Sequence, residues 1–142
     1  MYPNWAGCTP LRASAHESRK LLAQGWSIRD EHDARRTIAS LFCGPRTAWN
    51  RARVFLVAVE AQRAGHLRAD ETWAYCQRAK AELQSMFGSF DELARAYLAS
   101  RREWARLAAD GSQDAADPDM AHHVRNAEHA SRERWFGVDY GA

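Results

Sequence analysis

Thr47-Ala-Trp-Asn-Arg-Ala-Arg-Val-Phe-Leu-Val-Ala-Val-Glu-Ala-Gln-Arg-Ala-Gly65 is the stretch that decides the fold. Every position from Val54 to Val59 is apolar, and a helix that is apolar all round is a buried one. A buried strand is the competing reading of such a run, and length rejects it. The stretch makes about five helical turns, ends in Gly65, and carries Asn50, Arg51, Arg53, Glu60, Gln62 and Arg63 at its two ends. It reads as a buried central helix over about 47–64.

Helical signals continue on both sides. Toward the N-terminus, Thr9 followed by Pro10 reads as an N-cap with proline at the first helical position. That helix is expected to run to Gln24, with Leu11, Ala15, Ser18 and Leu22 in one stripe, Leu21 beside it, and Gly25 as a left-handed C-terminal residue. Trp26-Ser-Ile28 links to a second helix. Asp30 caps it, Asp33 complements its dipole, and Ala34, Ile38, Leu41 and Phe42 recur at helical spacing before Gly44-Pro45 stops the chain.

Beyond the central helix, Gly65-His66-Leu67 is a tight link. The next helix should start near Ala69 or Asp70 and run to about Phe87, with Ala69, Trp73, Cys76, Ala79, Leu83 and Met86 facing the core. Ser89-Phe-Asp-Glu92 has capping-box spacing, and Leu93, Tyr97, Leu98, Trp104 and Leu107 follow it at helical intervals. A polar, turn-rich linker occupies 110–119, and a thin apolar stripe (Met120, Val124, Ala127, Trp135) marks a last helix. The organisation is therefore an N-terminal arm at 1–8, a helical core domain at 9–109, the linker, and a C-terminal helix and tail at 120–142. The fold class is all-α: a single compact domain of five or six helices around the buried central one.

At 142 residues the chain is most simply one domain, large enough to fold unaided. Its net charge of +2 and its interleaved acids argue against a nucleic-acid partner, and solvated helix faces account for its arginines. Cys8, Cys43 and Cys76 share no metal-ligand spacing; Cys43 and Cys76 sit in apolar patterns and read as small buried hydrophobes. No secretory signal or membrane-length apolar run is present, so a reduced, cytoplasmic protein is expected.

Several phrases now stand in order: Gly25-Trp-Ser-Ile-Arg-Asp30, Ala48-Trp-Asn-Arg-Ala-Arg53, Ala64-Gly-His-Leu67, Glu71-Thr-Trp-Ala74, and the run from Ser89 to Trp104. Together they resemble the bacterial domain family of unknown function 1266, over about residues 20–105. The resemblance implies a small, mostly helical bacterial protein and brings no activity, cofactor or site residue with it. It also implies, for some members, a place near contact-dependent competition systems. The family's second phrase usually reads Trp-Asp with a later Arg. Asn50 stands here in place of that Asp, which puts in doubt any role needing a carboxylate at that position.

Two candidate binding groups emerge. Trp26, Arg29, Trp49, Asn50 and Arg53 gather at the start of the central helix, where Asn50 and Arg53 share a face and a helix N-terminus favours anions. A structural knot tying the helix start to the Trp26 loop is the stronger reading, and an anion or partner site the sharper one. Trp104 with Arg101, Arg102 and Arg106, and Trp135 with Arg132 and Arg134, combine the residue types enriched at binding hot spots. Core indoles flanked by solvated arginines are the bland alternative. The scattered histidines, including His122, His123 and His129, form no metal motif, and no nucleophile elbow or glycine-rich phosphate loop is present.

These readings point to a non-catalytic protein that needs no cofactor or metal and acts by binding another protein. In its sharpest form it is an immunity-type inhibitor that occludes a bacterial toxin. The alternative is a small-molecule or anion-binding protein, or an enzyme, with a pocket at the start of the central helix.

Overall fold

The computed structural model describes residues 14–108 and 124–125. Five helices follow one another: α1 (Ala15–Trp26), α2 (Glu31–Cys43), α3 (Ala48–Arg63), α4 (Ala69–Met86) and α5 (Phe90–Ala108). The described residues contain no strand, as the all-α reading expects.

The chain divides into two units. Among the described residues, 14–46 with Asn50–Leu83 makes the first, and Thr47–Trp49 with 84–108 makes the second.

In the first unit α3 has neighbours on several sides. The Ser18 hydroxyl of α1 donates to Glu60 Oε2 at 2.6 Å, and Arg19 Nε donates to the Ala64 carbonyl at 3.0 Å. On α4, Thr72 Oγ1 donates to the Ala58 carbonyl at 3.5 Å. The shared core takes Leu22 from α1, Ala34, Ile38, Leu41 and Phe42 from α2, Val54, Val57, Ala58 and Ala61 from α3, and Cys76 and Ala79 from α4. Each fully buried valine or leucine contributes about 1.5–3 kcal/mol by leaving water, so this list accounts for the cohesion of the unit. A bidentate pair, Arg35 to Glu71 at 2.6 and 3.2 Å, ties α2 to α4 at the surface.

Most expected boundaries hold. Asp30 caps α2 by accepting from the Asp33 amide at 2.8 Å, Gly44 follows its last residue, and Gly65 takes the positive φ of 84° that closes α3. At Ser89 the hydroxyl accepts from the Glu92 amide at 3.2 Å, and the Glu92 carboxylate reaches the Gly88 amide at 2.7 Å, one residue further back than a capping box requires.

The first helix differs at both ends. Thr9 and Pro10 lie outside the described residues, and α1 starts after an extended Ser14, whose hydroxyl and backbone form a full capping box with Glu17. Its end is set by Ser27, in the left-handed region at φ 56°, whose N–H bonds back to Leu22; Gly25 stays helical. The stripe of α1 narrows to Ser18 and Leu22, with Ala15 and Leu21 exposed.

Three further expectations are corrected. On α4 the buried stripe is Thr72, Cys76, Ala79 and Leu83, with Ala69 and Trp73 outside it. Thr72 fits because its hydroxyl is satisfied by Ala58, whereas an indole there would have to enter the packed α3–α4 contact. On α3, Leu56 is exposed although the run around it is apolar throughout. Cys43 is exposed, because it is the last residue of α2, while Cys76 is buried.

Candidate functional site

The residues nominated at the start of the central helix part into two groups. In the first unit, Asn50 Nδ2 donates to the Pro45 carbonyl at 2.9 Å, and Asn50 Oδ1 accepts from Arg53 Nη1 at 3.3 Å. The Arg53 guanidinium lies 4.7 Å from the centre of the Trp26 ring. Trp26, Asn50 and Arg53 thus make a tie between the end of α1, the α2–α3 link and the first turn of α3. The amide of Asn50 donates and accepts at once. An aspartate could accept from Arg53 but could not donate to Pro45, which gives the Asn a physical reason. Arg29 is exposed, and it is its backbone N–H that is engaged, donating to Asp33 Oδ2 at 3.1 Å.

Trp49 belongs to the second unit. Its amide donates to Ser100 Oγ at 3.0 Å, and that hydroxyl donates to the Tyr97 carbonyl at 3.1 Å. The indole meets Tyr97 edge-on at 5.4 Å and Trp104 at 5.6 Å. The Arg101 guanidinium lies 4.6 Å from the Trp49 ring centre and 5.9 Å from that of Trp104. Arg101 is buried, so this is a cation held between indoles rather than a solvated arginine; desolvated cation–π contacts are worth about 2 kcal/mol or more. Trp104 and Leu107 keep substantial exposed surface. Trp135 lies outside the described residues.

Sequence reasoning missed a third group. Arg51, read as a polar helix end, is only 2 % exposed. Its Nη1 and Nη2 donate to the carbonyls of Leu41 and Phe42 at 2.7 and 3.3 Å, and its Nε donates to Glu82. Those carbonyls are among the last four of α2, which have no helical partner, and a cation there also meets the negative end of the dipole. Arg78 Nε is 3.3 Å from Glu82 Oε1 and Arg46 Nε 3.9 Å from Oε2. Burial pushes the Glu82 carboxyl up, but the Arg51 hydrogen bond and charge, aided by Arg78, outweigh it and hold the group below the ordinary glutamate range. One signal was available: Arg51 sits three residues before Val54 and seven before Ala58, on the buried stripe of α3.

Trp73 was also misplaced. Successive helical residues are about 100° apart. On α4, Thr72 faces α3, and Glu71 reaches Arg35 of α2. Trp73 is turned the other way, on the side away from α2, and is 57 % exposed. On α3, Leu56 lies opposite the buried Val54, Val57 and Ala61, and is 41 % exposed. Each of the two helices therefore keeps one large apolar side chain exposed, Trp73 on α4 and Leu56 on α3.

Among the described residues no group of three or more His, Cys, Asp or Glu could hold a metal ion. His122, His123 and His129 lie outside them. Burial pushes the Cys76 thiol up to about 11, the opposite of what a nucleophile needs. No described helix is long and apolar enough to cross a membrane.

No curated protein and no solved structure matches the chain. A family model described as protein of unknown function (DUF1266) matches residues 43–139. The match starts later than the resemblance over 20–105 suggested, leaving out the Gly25–Asp30 phrase, and it extends past α5 through Trp135. It takes in all of α3, α4 and α5, well over half of the sequence, and on that basis the chain belongs to the DUF1266 family of proteins of unknown function.

Proposed function

We propose that this protein acts by binding another protein, without catalysis of its own, through the exposed face of α4 that carries Trp73. The observation that carries this reading is the exposure of Trp73, 57 % on the side of α4 away from α2. Scattered surface leucines are ordinary, but tryptophan is enriched at interface hot spots, where it adds large contact area at little entropic cost. Three of the residues that first suggested a ligand or partner site, Asn50, Arg53 and Arg101, support the same reading indirectly, since they are engaged within the fold.

In its sharper form the protein is an immunity-type inhibitor that covers the active site of a bacterial toxin. It would act in the cytoplasm, where thiols such as Cys43 and Cys76 persist unpaired. The test is a tagged pull-down of the full chain from its native cells, at low and high salt, beside a Trp73→Ser variant. An exposed position predicts a stability change within about 0.5 kcal/mol for that variant, so loss of binding would not reflect unfolding. A stoichiometric partner that survives high salt with the natural chain and is lost with Trp73→Ser supports the reading. If that partner is toxic when expressed alone and neutralised by this protein, the immunity form is supported as well. A chain recovered alone, or the same partner on both forms, refutes binding through this face.

A further inference from the structure

Every carboxylate of α4 is held by an arginine of the same chain. Asp70 is bridged by Arg68, Glu71 by Arg35, and Glu82 by Arg51 and Arg78. Lys80 is the exception among the charges of this helix. It is exposed, and the residues three and four positions to either side of it are Cys76, Gln77, Leu83 and Gln84, so no acid lies within reach along the helix.

Lys80 also shares a face with Trp73. Residues 73, 77 and 80 stand at i, i+4 and i+7, which sets them in one row. All three are exposed, and among the described residues none of them makes a side-chain hydrogen bond or ion pair. The row presents an indole N–H, a carboxamide and an ammonium; each of these donates, and only the carboxamide accepts. A solvated lysine is ordinary by itself. This one stands beside the large exposed apolar side chain of α4, and the nearest acid of that face, Asp70, already has its arginine.

We propose that this row takes an acidic protein segment, with an apolar side chain of the partner on Trp73 and an Asp or Glu carboxylate on Lys80, about 10 Å further along the helix. The inference rests on the protein-binding reading and names the chemistry of the partner. Trp73 supplies contact area, and the ammonium favours a carboxylate and rejects a basic segment.

Lys20 and Lys80 are the only lysines of the sequence, which suits a zero-length crosslink. A carbodiimide activates a carboxylate, and an amine in contact with it then forms the amide. The tagged full chain is incubated with a lysate of its native cells and treated in this way, and the joined peptides are identified by mass spectrometry. Lys80 is expected to be joined to an Asp or Glu of one partner protein, and the product to disappear with Trp73→Ser. Binding of that purified partner is then measured without crosslinking. Lys80→Glu should weaken it about tenfold or more, by like-charge repulsion, while Lys80→Arg and Lys20→Glu should leave it unchanged. A partner that needs Trp73 but is not joined at Lys80, or that binds Lys80→Glu undiminished, overturns this inference and leaves the protein-binding reading standing. A carboxylate from a second copy of this chain at Lys80 overturns it in favour of self-association. A natural chain that captures no partner refutes both.

Discussion

Arg51→Met is the sharpest test of how this fold is held. The substitution keeps an unbranched side chain of helical propensity and removes the guanidinium. It leaves the Leu41 and Phe42 carbonyls at the end of α2 without their donor, and deprives Glu82 of its closest partner. Breaking a buried ion pair from one side costs about 3–5 kcal/mol. Glu82 is one-fifth exposed and keeps Arg78 at 3.3 Å, so the lower end applies, and about 3 kcal/mol is expected. Urea denaturation with linear extrapolation measures it, followed by far-UV circular dichroism, with the slope checked for constancy. A second variant separates the pair from the cap. Arg51→Met with Glu82→Met removes both charges, and should recover part of the loss if an uncompensated carboxylate caused it, because apolar replacement of a buried pair is often neutral. If Arg51→Met cost under about 0.5 kcal/mol, as a solvated surface arginine would, Arg51 would be neither the cap of α2 nor the partner that Glu82 depends on.

Other outcomes follow from the same contacts. Arg35 holds the Glu71 carboxyl below its usual range by hydrogen bond and charge, and Glu82 is depressed as well. A carboxylate with a lowered folded pKa adds stability above its unfolded pKa of about 4.3 and loses it as pH falls through the folded value. Urea midpoints should therefore fall steeply below about pH 4, and Glu71→Gln should flatten that fall. Ser14→Ala removes the capping box of α1 and should cost about 1 kcal/mol, seen as a lower urea midpoint. Ser27→Gly relieves a left-handed residue at φ 56° and should raise the thermal midpoint, since glycine meets no Cβ penalty there. In a Cys8→Ser background, Cys43 should react with a thiol reagent at once and Cys76 only on unfolding, as their exposure and the raised Cys76 pKa require.

Where the sequence could be read and where it could not divides along a physical line. Local signals were legible: Asp30 as a cap, Gly44-Pro45 as a stop, Gly65 as the turn after α3, and the Ala34, Ile38, Leu41 and Phe42 stripe all depend on neighbours within a turn or two. Even the missed start of α1 was local, because Ser14-Ala-His-Glu17 has the same spacing as Ser89-Phe-Asp-Glu92, and a proline further upstream offered a competing start. The site was harder because its partners are remote. Nothing near Arg51 in sequence announces Glu82, and nothing near Trp49 announces Tyr97, Arg101 and Trp104. On α4, Thr72 and Trp73 are adjacent, so a shift of one position exchanges a buried threonine for an exposed indole, and hydrophobicity alone chooses the wrong one. The threonine is tolerated inside because the Ala58 carbonyl accepts a hydrogen bond from its hydroxyl.

That pattern bears on function. Arginine beside tryptophan suggests a binding surface when read as composition, yet Arg101 is enclosed by Trp49 and Trp104, and Arg53 covers Trp26. Arg101 is buried in this way, so truncating it or Trp49 disturbs the packing, and stability falls before any partner is considered. A scan of this protein for binding would then score Arg101 and Trp49 as hits for the wrong reason. Trp73, 57 % exposed, has no such debt to the fold. Loss of binding without loss of stability is therefore the criterion that distinguishes a recognition residue from a structural one here. It favours Trp73 over Trp49 and Arg101, whose side chains the fold itself uses.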